Sequence, residues 1–167
     1  MRVYLVRHGI TDACGLETVN NVKPNKDVSL SELGRQQVKK ACLQLPKNIS
    51  KIYTSPTLRT METSDIIKDY CDSNVEIIPD LRIKNKIQII DTSYQINLQG
   101  ILQELSLLEN SNTDIVIVTH GRIIKMLYSL TFHKCIDCNF MDSLELDYGD
   151  VFKMEYTNGN FEFLKWK

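Results

Sequence analysis

The stretch VYLVRHG at residues 3–9 has a counterpart in IVIVTHG at residues 115–121. In each, an apolar run without polar alternation ends in a His-Gly pair, and such a run is typical of a strand buried on both faces of a parallel sheet. Open α/β sheets bind ligands at the carboxyl ends of their strands. The sequence therefore predicts that His8 and His120 stand at two strand ends, where both imidazoles could face one small ligand.

The composition is that of an ordinary globular domain. The chain has 167 residues, of which 43% are hydrophobic and 25% charged, and this length suits a single domain over residues 1–167. The formal net charge of -1 gives no global field that would favour nucleic acid or an anionic membrane, so any anion site must be local. No apolar run approaches the ~20 residues that span a bilayer.

The compartment and the metal content are predicted from a few residue types. The amino terminus lacks the apolar core of a signal peptide, so a cytoplasmic location is the default. Five cysteines in scattered positions argue against a disulfide framework and fit a reducing compartment. His133, Cys135 and Cys138 offer three metal ligands where a structural zinc site needs four, so we expect no metal.

Strand and helix patterns alternate along most of the chain. Strands are predicted at 2–6, 51–54, 75–78 and 115–119, and helices at 31–45, from Ser55-Pro56 onward, at 95–109 and at 122–130. Ser31 and Ser55 are the expected N-caps. Residues 144–146 and 152–156 alternate in polarity, and Asn158-Gly159 predicts a hairpin. The expected fold is a three-layer αβα sandwich, with a mostly parallel sheet and an antiparallel C-terminal edge hairpin.

Three loops should meet at the carboxyl edge of this sheet. The predicted contributions are Arg7, His8 and Thr11 from the first, Ser55 and Arg59 from the second, and His120 with the backbone of Gly121 from the third. Arginine suits phosphate because its planar fork donates two parallel hydrogen bonds. A neutral imidazole could attack phosphorus while the second imidazole and the arginines stabilise the equatorial oxygens. The glycine after each histidine is expected to permit close approach of a ligand.

Four segments in order resemble the histidine phosphatase superfamily, whose fold is phosphoglycerate mutase-like. They are residues 6–11 (VRHG-x-T), 30–37 (LSELGRQQ), 55–63 (SP-x-x-R-x-x-ET) and 118–121 (VTHG). The resemblance implies that His8 is the nucleophile that becomes phosphohistidine. It also implies that Arg7, Arg59 and His120 bind the phosphoryl group, that Thr11 and the Gly121 amide add contacts, and that no metal or cofactor is needed.

The chain departs from the family pattern at two positions. Cys14 stands where relatives place a substrate-contacting Asn, and Ile83 stands where many relatives place the Glu that protonates the leaving oxygen. Such protonation contributes ~10²–10⁴-fold. Candidate substitutes for the general acid are Asp80, Asp91 and Glu104. Without one, the resemblance implies a substrate with a better leaving group, such as phosphohistidine, an acyl phosphate or an aryl phosphate.

The leading hypothesis is a metal-independent phosphatase that hydrolyses a phosphomonoester through a phosphohistidine intermediate. The alternatives are a protein phosphohistidine phosphatase and a non-catalytic phosphate-binding pseudo-enzyme. The partner would be a phosphorylated small molecule or a phosphoprotein. A mutase is less expected, because the segment between Arg59 and His120 is short and predicts an open site that water can reach.

Overall fold

A single six-stranded sheet forms the centre of the molecule. The computed structural model describes residues 1–12, 28–82, 92–108 and 114–164. The strands are β1 (Arg2–Arg7), β2 (Ile49–Thr54), β3 (Val75–Ile77), β4 (Asp114–Thr119), β5 (Val151–Thr157) and β6 (Asn160–Phe163), in the order β3-β2-β4-β1-β5-β6. Strands β3, β2, β4 and β1 are parallel, and β5 and β6 run antiparallel. The mostly parallel sheet with an antiparallel edge hairpin confirms the predicted fold.

Helices cover both faces of the sheet. They are α1 (Glu32–Cys42), α2 (Leu58–Cys71), α3 (Thr92–Ser106), α4 (Gly121–His133) and α5 (Cys138–Ser143), with a 3₁₀ turn at Pro79–Leu81. Because strand side chains alternate between faces, Leu5 and Ile117 pack with α3 and α4, whereas Val6 and Val118 pack with α1 and α2. Residues 3–6 of β1 and 115–118 of β4 are therefore apolar and buried, as their sequences predict.

The two predicted N-caps have different outcomes. Ser31 caps α1, since its hydroxyl accepts a hydrogen bond of 3.0 Å from the Gly34 amide. The prediction that Ser55 caps α2, with Pro56 at its first position, is wrong, because the helix begins at Leu58 with Thr57 as N-cap. The Ser55 amide instead donates to the Val118 carbonyl at 3.1 Å, so Ser55 prolongs the pairing of β2 with β4.

The carboxyl-terminal segment follows the hairpin prediction. Asn158 and Gly159 have φ values of 52° and 82°, which suit the tight turn between β5 and β6. Residues 144–146 do not form a strand, although their polarity alternates; they lead into β5 and hold a side chain of the site described below. None of the helices in the described part of the chain is long and apolar enough to cross a membrane.

Candidate active site

Strand register brings Ser55, His120 and His8 side by side. Arg7 pairs with Thr119 across β1 and β4, and Thr54 pairs with Val118 across β2 and β4. Each of the three is the first residue after its strand, on the neighbouring strands β2, β4 and β1. The residues His8 and His120 are 7% and 1% exposed, and the centroids of their rings lie 5.1 Å apart in an edge-to-face arrangement. The two imidazoles thus meet at the carboxyl edge of the sheet.

The His8 ring is held in one tautomer. Its Nδ1 lies 2.8 Å from the Gly9 carbonyl oxygen, and because a carbonyl can only accept, Nδ1 carries the proton. Burial lowers the pKa of His8 to about 3, with smaller contributions in the same direction from Arg59 and Arg7 and an opposing one from the Gly9 hydrogen bond. The ring is therefore neutral near pH 7, and Nε2 bears a lone pair.

The His120 ring is fixed from its other nitrogen. Its Nε2 lies 3.1 Å from the Ser55 hydroxyl oxygen, whereas its buried Nδ1 has no hydrogen-bond partner among the described residues. Burial lowers the pKa of His120 to about 2, and His8, Arg59, Arg7 and Arg82 act in the same direction. An incoming anion would offset this cationic surrounding and supply the partner that Nδ1 lacks.

Arg7 is clamped by the segment that leads into β5. Its Nη1 donates to the Leu146 carbonyl at 2.6 Å, and its guanidinium carbon lies 3.7 Å from the centroid of the Tyr148 ring. The Tyr148 ring also lies beside His8, with 5.5 Å between centroids. The Gly149 amide donates to the carbonyl of Arg7 at 3.2 Å. The Arg7 Nε is buried without a hydrogen-bond partner in the described structure.

Arg59 and Arg82 complete the cationic surrounding of the imidazoles. Arg59 is the second residue of α2, and its charge acts on both rings. Arg82 follows the 3₁₀ turn, and its charge acts on His120. Thr119 ties that turn to the end of β4 by donating from its hydroxyl to the Leu81 carbonyl at 3.0 Å. Every charge that shifts the pKa of His8 or His120 is positive, which suits a phosphoryl dianion.

The amino terminus of α4 adds to this positive potential. The helix begins at Gly121, and its N-cap His120 makes no side-chain hydrogen bond to the first turn. The amides of such a first turn and the helix dipole favour an anion. A Cβ on Gly121 would come within 2.7 Å of the Leu146 side chain and 3.2 Å of the Arg7 Nε. This glycine therefore makes room for the side chains of Leu146 and Arg7, and its contact with a ligand stays a prediction.

Helix α1 supports the loop that carries His8. The Ile10 amide donates to Gln37 Oε1 at 2.9 Å, and the Ser31 amide donates to the Ile10 carbonyl at 3.0 Å. The Cβ position of Gly9 is filled by the backbone of Gly34, so Gly9 makes room for α1. The 30–37 motif thus contributes a scaffold for the loop.

Two further motif residues join the scaffold near this loop. Glu62 on α2 accepts from the Leu30 amide at 2.7 Å and from Arg35 Nη2 at 3.0 Å, which ties α2 to α1. Thr11 forms an isolated antiparallel bridge with Leu30 and is half-buried. The role of Thr11 as a phosphate contact stays a prediction.

The remaining predicted residues lie elsewhere or outside the described residues. Asp80 Oδ1 accepts from Asn97 Nδ2 at 3.1 Å, and Glu104 is exposed on α3. Neither carboxylate is among the groups that shift the pKa of the two imidazoles. Cys14, Asp91 and Ile83 lie outside the described residues. Within the described ranges, no three His, Cys, Asp or Glu side chains form a group that could hold a metal ion.

Comparison with known proteins identifies the class to which this site belongs. The sequence profile of the histidine phosphatase superfamily (branch 1) matches residues 3–83 and 96–167. The chain therefore belongs to the histidine phosphatase superfamily. No curated protein sequence matches the chain.

Solved structures of phosphatases share the fold. A phosphoserine phosphatase from Entamoeba histolytica, crystallised with phosphoserine, has a TM-score of 0.75 at 18% identity, over 99% of this chain and 95% of that one. The α-ribazole phosphatase of Shigella flexneri has a TM-score of 0.73 at 17% identity, over 98% and 94%. A mycobacterial glucosyl-3-phosphoglycerate phosphatase, complexed with VO3, has a TM-score of 0.72 at 18% identity, over 99% and 98%. At this identity, the likeness establishes the fold.

Proposed function

We propose that the protein is a phosphatase that hydrolyses a phosphomonoester through a phosphohistidine intermediate on His8. The observation that carries the proposal is the hydrogen bond from His8 Nδ1 to the Gly9 carbonyl. Together with the lowered pKa of the ring, it leaves an unprotonated Nε2 beside His120, Arg7 and Arg59. A neutral, oriented imidazole in a cationic pocket is what nucleophilic attack on a phosphoryl dianion requires.

The proposed reaction has two displacements at phosphorus. In the first, the Nε2 lone pair of His8 forms an N–P bond while the ester P–O bond breaks, and the leaving oxygen takes that electron pair and then a proton. In the second, water attacks phosphorus, the N–P electron pair returns to Nε2, and inorganic phosphate forms. Arg7, Arg59 and His120 would hold the equatorial oxygens in both steps, with Thr11 and the Gly121 amide as additional donors.

The source of the leaving-group proton decides which esters are turned over. Asp80, Asp91 and Glu104 are the candidate general acids, and Ile83 occupies the position of the acid in many relatives. The three structurally similar phosphatases described above are named for phosphoserine, α-ribazole phosphate and glucosyl-3-phosphoglycerate, which favours a small phosphorylated molecule as the substrate. The Ile83 substitution favours a second candidate, protein phosphohistidine, because its leaving imidazole needs less protonation than an alkoxide.

The test is turnover of para-nitrophenyl phosphate by the full chain with EDTA present. We expect metal-free hydrolysis that vanadate inhibits and that His8→Ala abolishes. His133→Ala is the matched control, because this third histidine is exposed at the end of α4 and its removal should leave the rate unchanged. Retained phosphate affinity without turnover in the unmodified chain would identify a binding module and overturn the proposal.

A second comparison tests the general acid. An aryl phosphate has a good leaving group and reports on His8 alone, whereas an alkyl phosphate needs a proton donor. If Asp80 or Glu104 is the acid, then Asp80→Asn or Glu104→Gln should slow the alkyl phosphate by ~10²–10⁴-fold and spare the aryl phosphate. If neither variant changes the ratio of the two rates, Asp91 is the remaining candidate, and the same measurement on Asp91→Asn tests it.

A further inference from the structure

The contact between Ser55 and His120 joins two of the most deeply buried polar side chains of the site. Ser55 is 0% exposed and His120 is 1% exposed, and 3.1 Å separates Ser55 Oγ from His120 Nε2. A backbone hydrogen bond holds Ser55 in this position, since its amide donates to the carbonyl of Val118 at 3.1 Å. Val118 lies in β4, two residues before His120. The pair is thus built into the β2–β4 ladder.

Counting donors and acceptors shows which way this hydrogen bond runs. If His120 Nε2 donated to Ser55, the hydroxyl proton and the Nδ1 lone pair would both be buried without a partner among the described residues. If the Ser55 hydroxyl donates to Nε2, the Nδ1 proton and the lone pairs of Ser55 Oγ lack a partner, so each arrangement leaves one donor and one acceptor unpaired. An imidazole nitrogen is a stronger acceptor than a hydroxyl oxygen, so an unpaired nitrogen lone pair costs more than an unpaired hydroxyl oxygen, and the second arrangement is favoured.

We propose that Ser55 is a positioning residue that donates its hydroxyl proton to His120 Nε2 and thereby keeps a proton on Nδ1, available to the bound phosphoryl group. This inference rests on the proposed function for its catalytic consequence, but the tautomer itself does not. The opposite tautomer would present the Nδ1 lone pair to an anion and repel it. A neutral imidazole can carry its proton on either nitrogen, and Ser55 would select the tautomer in which Nδ1 of His120 donates a hydrogen bond to the phosphoryl group.

The two histidines of the site would then share a tautomer for different reasons. His8 has its proton on Nδ1 because the Gly9 carbonyl accepts it, which frees Nε2 to attack. His120 has its proton on Nδ1 because the Ser55 hydroxyl occupies Nε2, which frees the Nδ1 proton for the phosphoryl oxygens. One ring acts as nucleophile and the other as donor, although both are neutral.

The direct test is ¹⁵N NMR of the imidazole nitrogens in the full-length protein near pH 7, without substrate. The chain has only three histidines, so the signals of His120 are assigned by elimination with His8→Ala and His133→Ala. We expect a protonated Nδ1 and an unprotonated Nε2 in His120. Replacement of Ser55 by Ala should shift His120 toward the Nε2-protonated tautomer and leave His8 unchanged. A protonated Nε2 in the unmodified chain, or no shift in the variant, would overturn the proposal.

Kinetics supplies the second readout, with Ser64→Ala as the matched control. Like Ser55, Ser64 is a fully buried serine, but it lies on α2 and its hydroxyl donates to the Thr60 carbonyl. We expect Ser55→Ala to lower kcat/KM for para-nitrophenyl phosphate about tenfold and to weaken vanadate inhibition by a similar factor, since one buried hydrogen bond is lost. Ser64→Ala should change neither.

The outcomes separate this inference from the proposed function. If the unmodified chain shows the expected tautomer without turnover, the function fails and the hydrogen bond stands. If it turns over substrate and Ser55→Ala matches it in rate and vanadate inhibition, the positioning role fails alone. Should Ser55→Ala not fold, Ser55→Cys keeps the size with a weaker donor and should give an intermediate loss. If neither variant folds, the tautomer of the unmodified chain still tests the proposal.

Discussion

Gly9 and Gly34 pack backbone against backbone. A Cβ built on Gly9 would overlap the Gly34 carbonyl oxygen, and one built on Gly34 would overlap the carbonyl oxygen of Ile10. Gly9 lies directly after His8, and Gly34 lies in the first turn of α1. The first turn of this helix is therefore in direct contact with the loop that orients the His8 ring, and neither residue has space for a side chain.

Replacement of Gly34 by Ala should destabilise the protein and reduce its activity. Alanine gains ~1 kcal/mol of helix propensity over glycine, but here the added methyl group meets backbone atoms that cannot rotate away. We expect a net loss of about 1–3 kcal/mol in the free energy of unfolding. The rate should fall as well, because displacement of Ile10 moves the His8 loop. Urea unfolding and kcat with para-nitrophenyl phosphate measure the two effects.

Gly100 provides the matched control on another helix. It lies within α3, and a Cβ there would meet no atom within 4 Å. Gly100→Ala should therefore stabilise the protein by about 0.4–1 kcal/mol without a change in rate. Equal effects of the two substitutions would show that contact with the loop does not matter at Gly34.

The sheet and the meeting of the two histidines could be predicted because local patterns determine them. The uninterrupted apolar runs of β1 and β4 require burial on both faces, and a parallel sheet places the ends of such strands on one edge. His8 and His120 directly follow these runs, so their proximity follows from topology. The turn at Asn158-Gly159 was predictable for a similar reason, since its residues favour positive φ.

The contacts that orient the site could not be predicted, because they join distant parts of the chain. Ser55 looks like a helix cap beside Pro56, yet pairing with β4 and the hydrogen bond to His120, 65 positions away, override the local preference. Leu146 lies 139 positions from Arg7, and only pairing of β5 with β1 brings it near. For Tyr148, the sequence signal was its place just before β5, which pairs antiparallel with β1 and begins beside the carboxyl end of that strand.

The free energy of unfolding should rise with pH between about pH 4 and 6.5. Folding lowers the pKa of His8 from 6.5 to about 3 and that of His120 to about 2. In this window the unfolded chain binds protons that the folded chain does not, so the stabilisation is complete above about pH 6.5 and is lost as the pH falls. Replacement of His8 by Gln should lower the slope of the free energy of unfolding against pH by up to about 1.4 kcal/mol per pH unit.

Urea unfolding of both proteins across this pH range measures the slopes. His133→Gln is the control, because its ring is exposed, and its slope should equal that of the unmodified chain. Identical slopes for His8→Gln and the unmodified chain would mean that His8 titrates normally in the folded state. That result would contradict the argument that burial keeps the His8 ring neutral and therefore nucleophilic.

Removal of the Tyr148 ring should weaken phosphate binding more than it slows the chemical step. The ring lies against the Arg7 guanidinium at 3.7 Å and holds it while Nη1 bonds to Leu146. A cation–π contact of this kind contributes about 0.5–2 kcal/mol, so Tyr148→Leu should raise KM and the vanadate inhibition constant roughly 2- to 30-fold. Tyr148→Phe keeps the ring and should keep the affinity.

Tyr70→Leu is the control for Tyr148→Leu, because the ring of Tyr70 contacts Lys47 at 3.2 Å, in a pair that involves none of the site residues. A loss in kcat with unchanged KM would show that Tyr148 acts on His8, 5.5 Å away, rather than on Arg7.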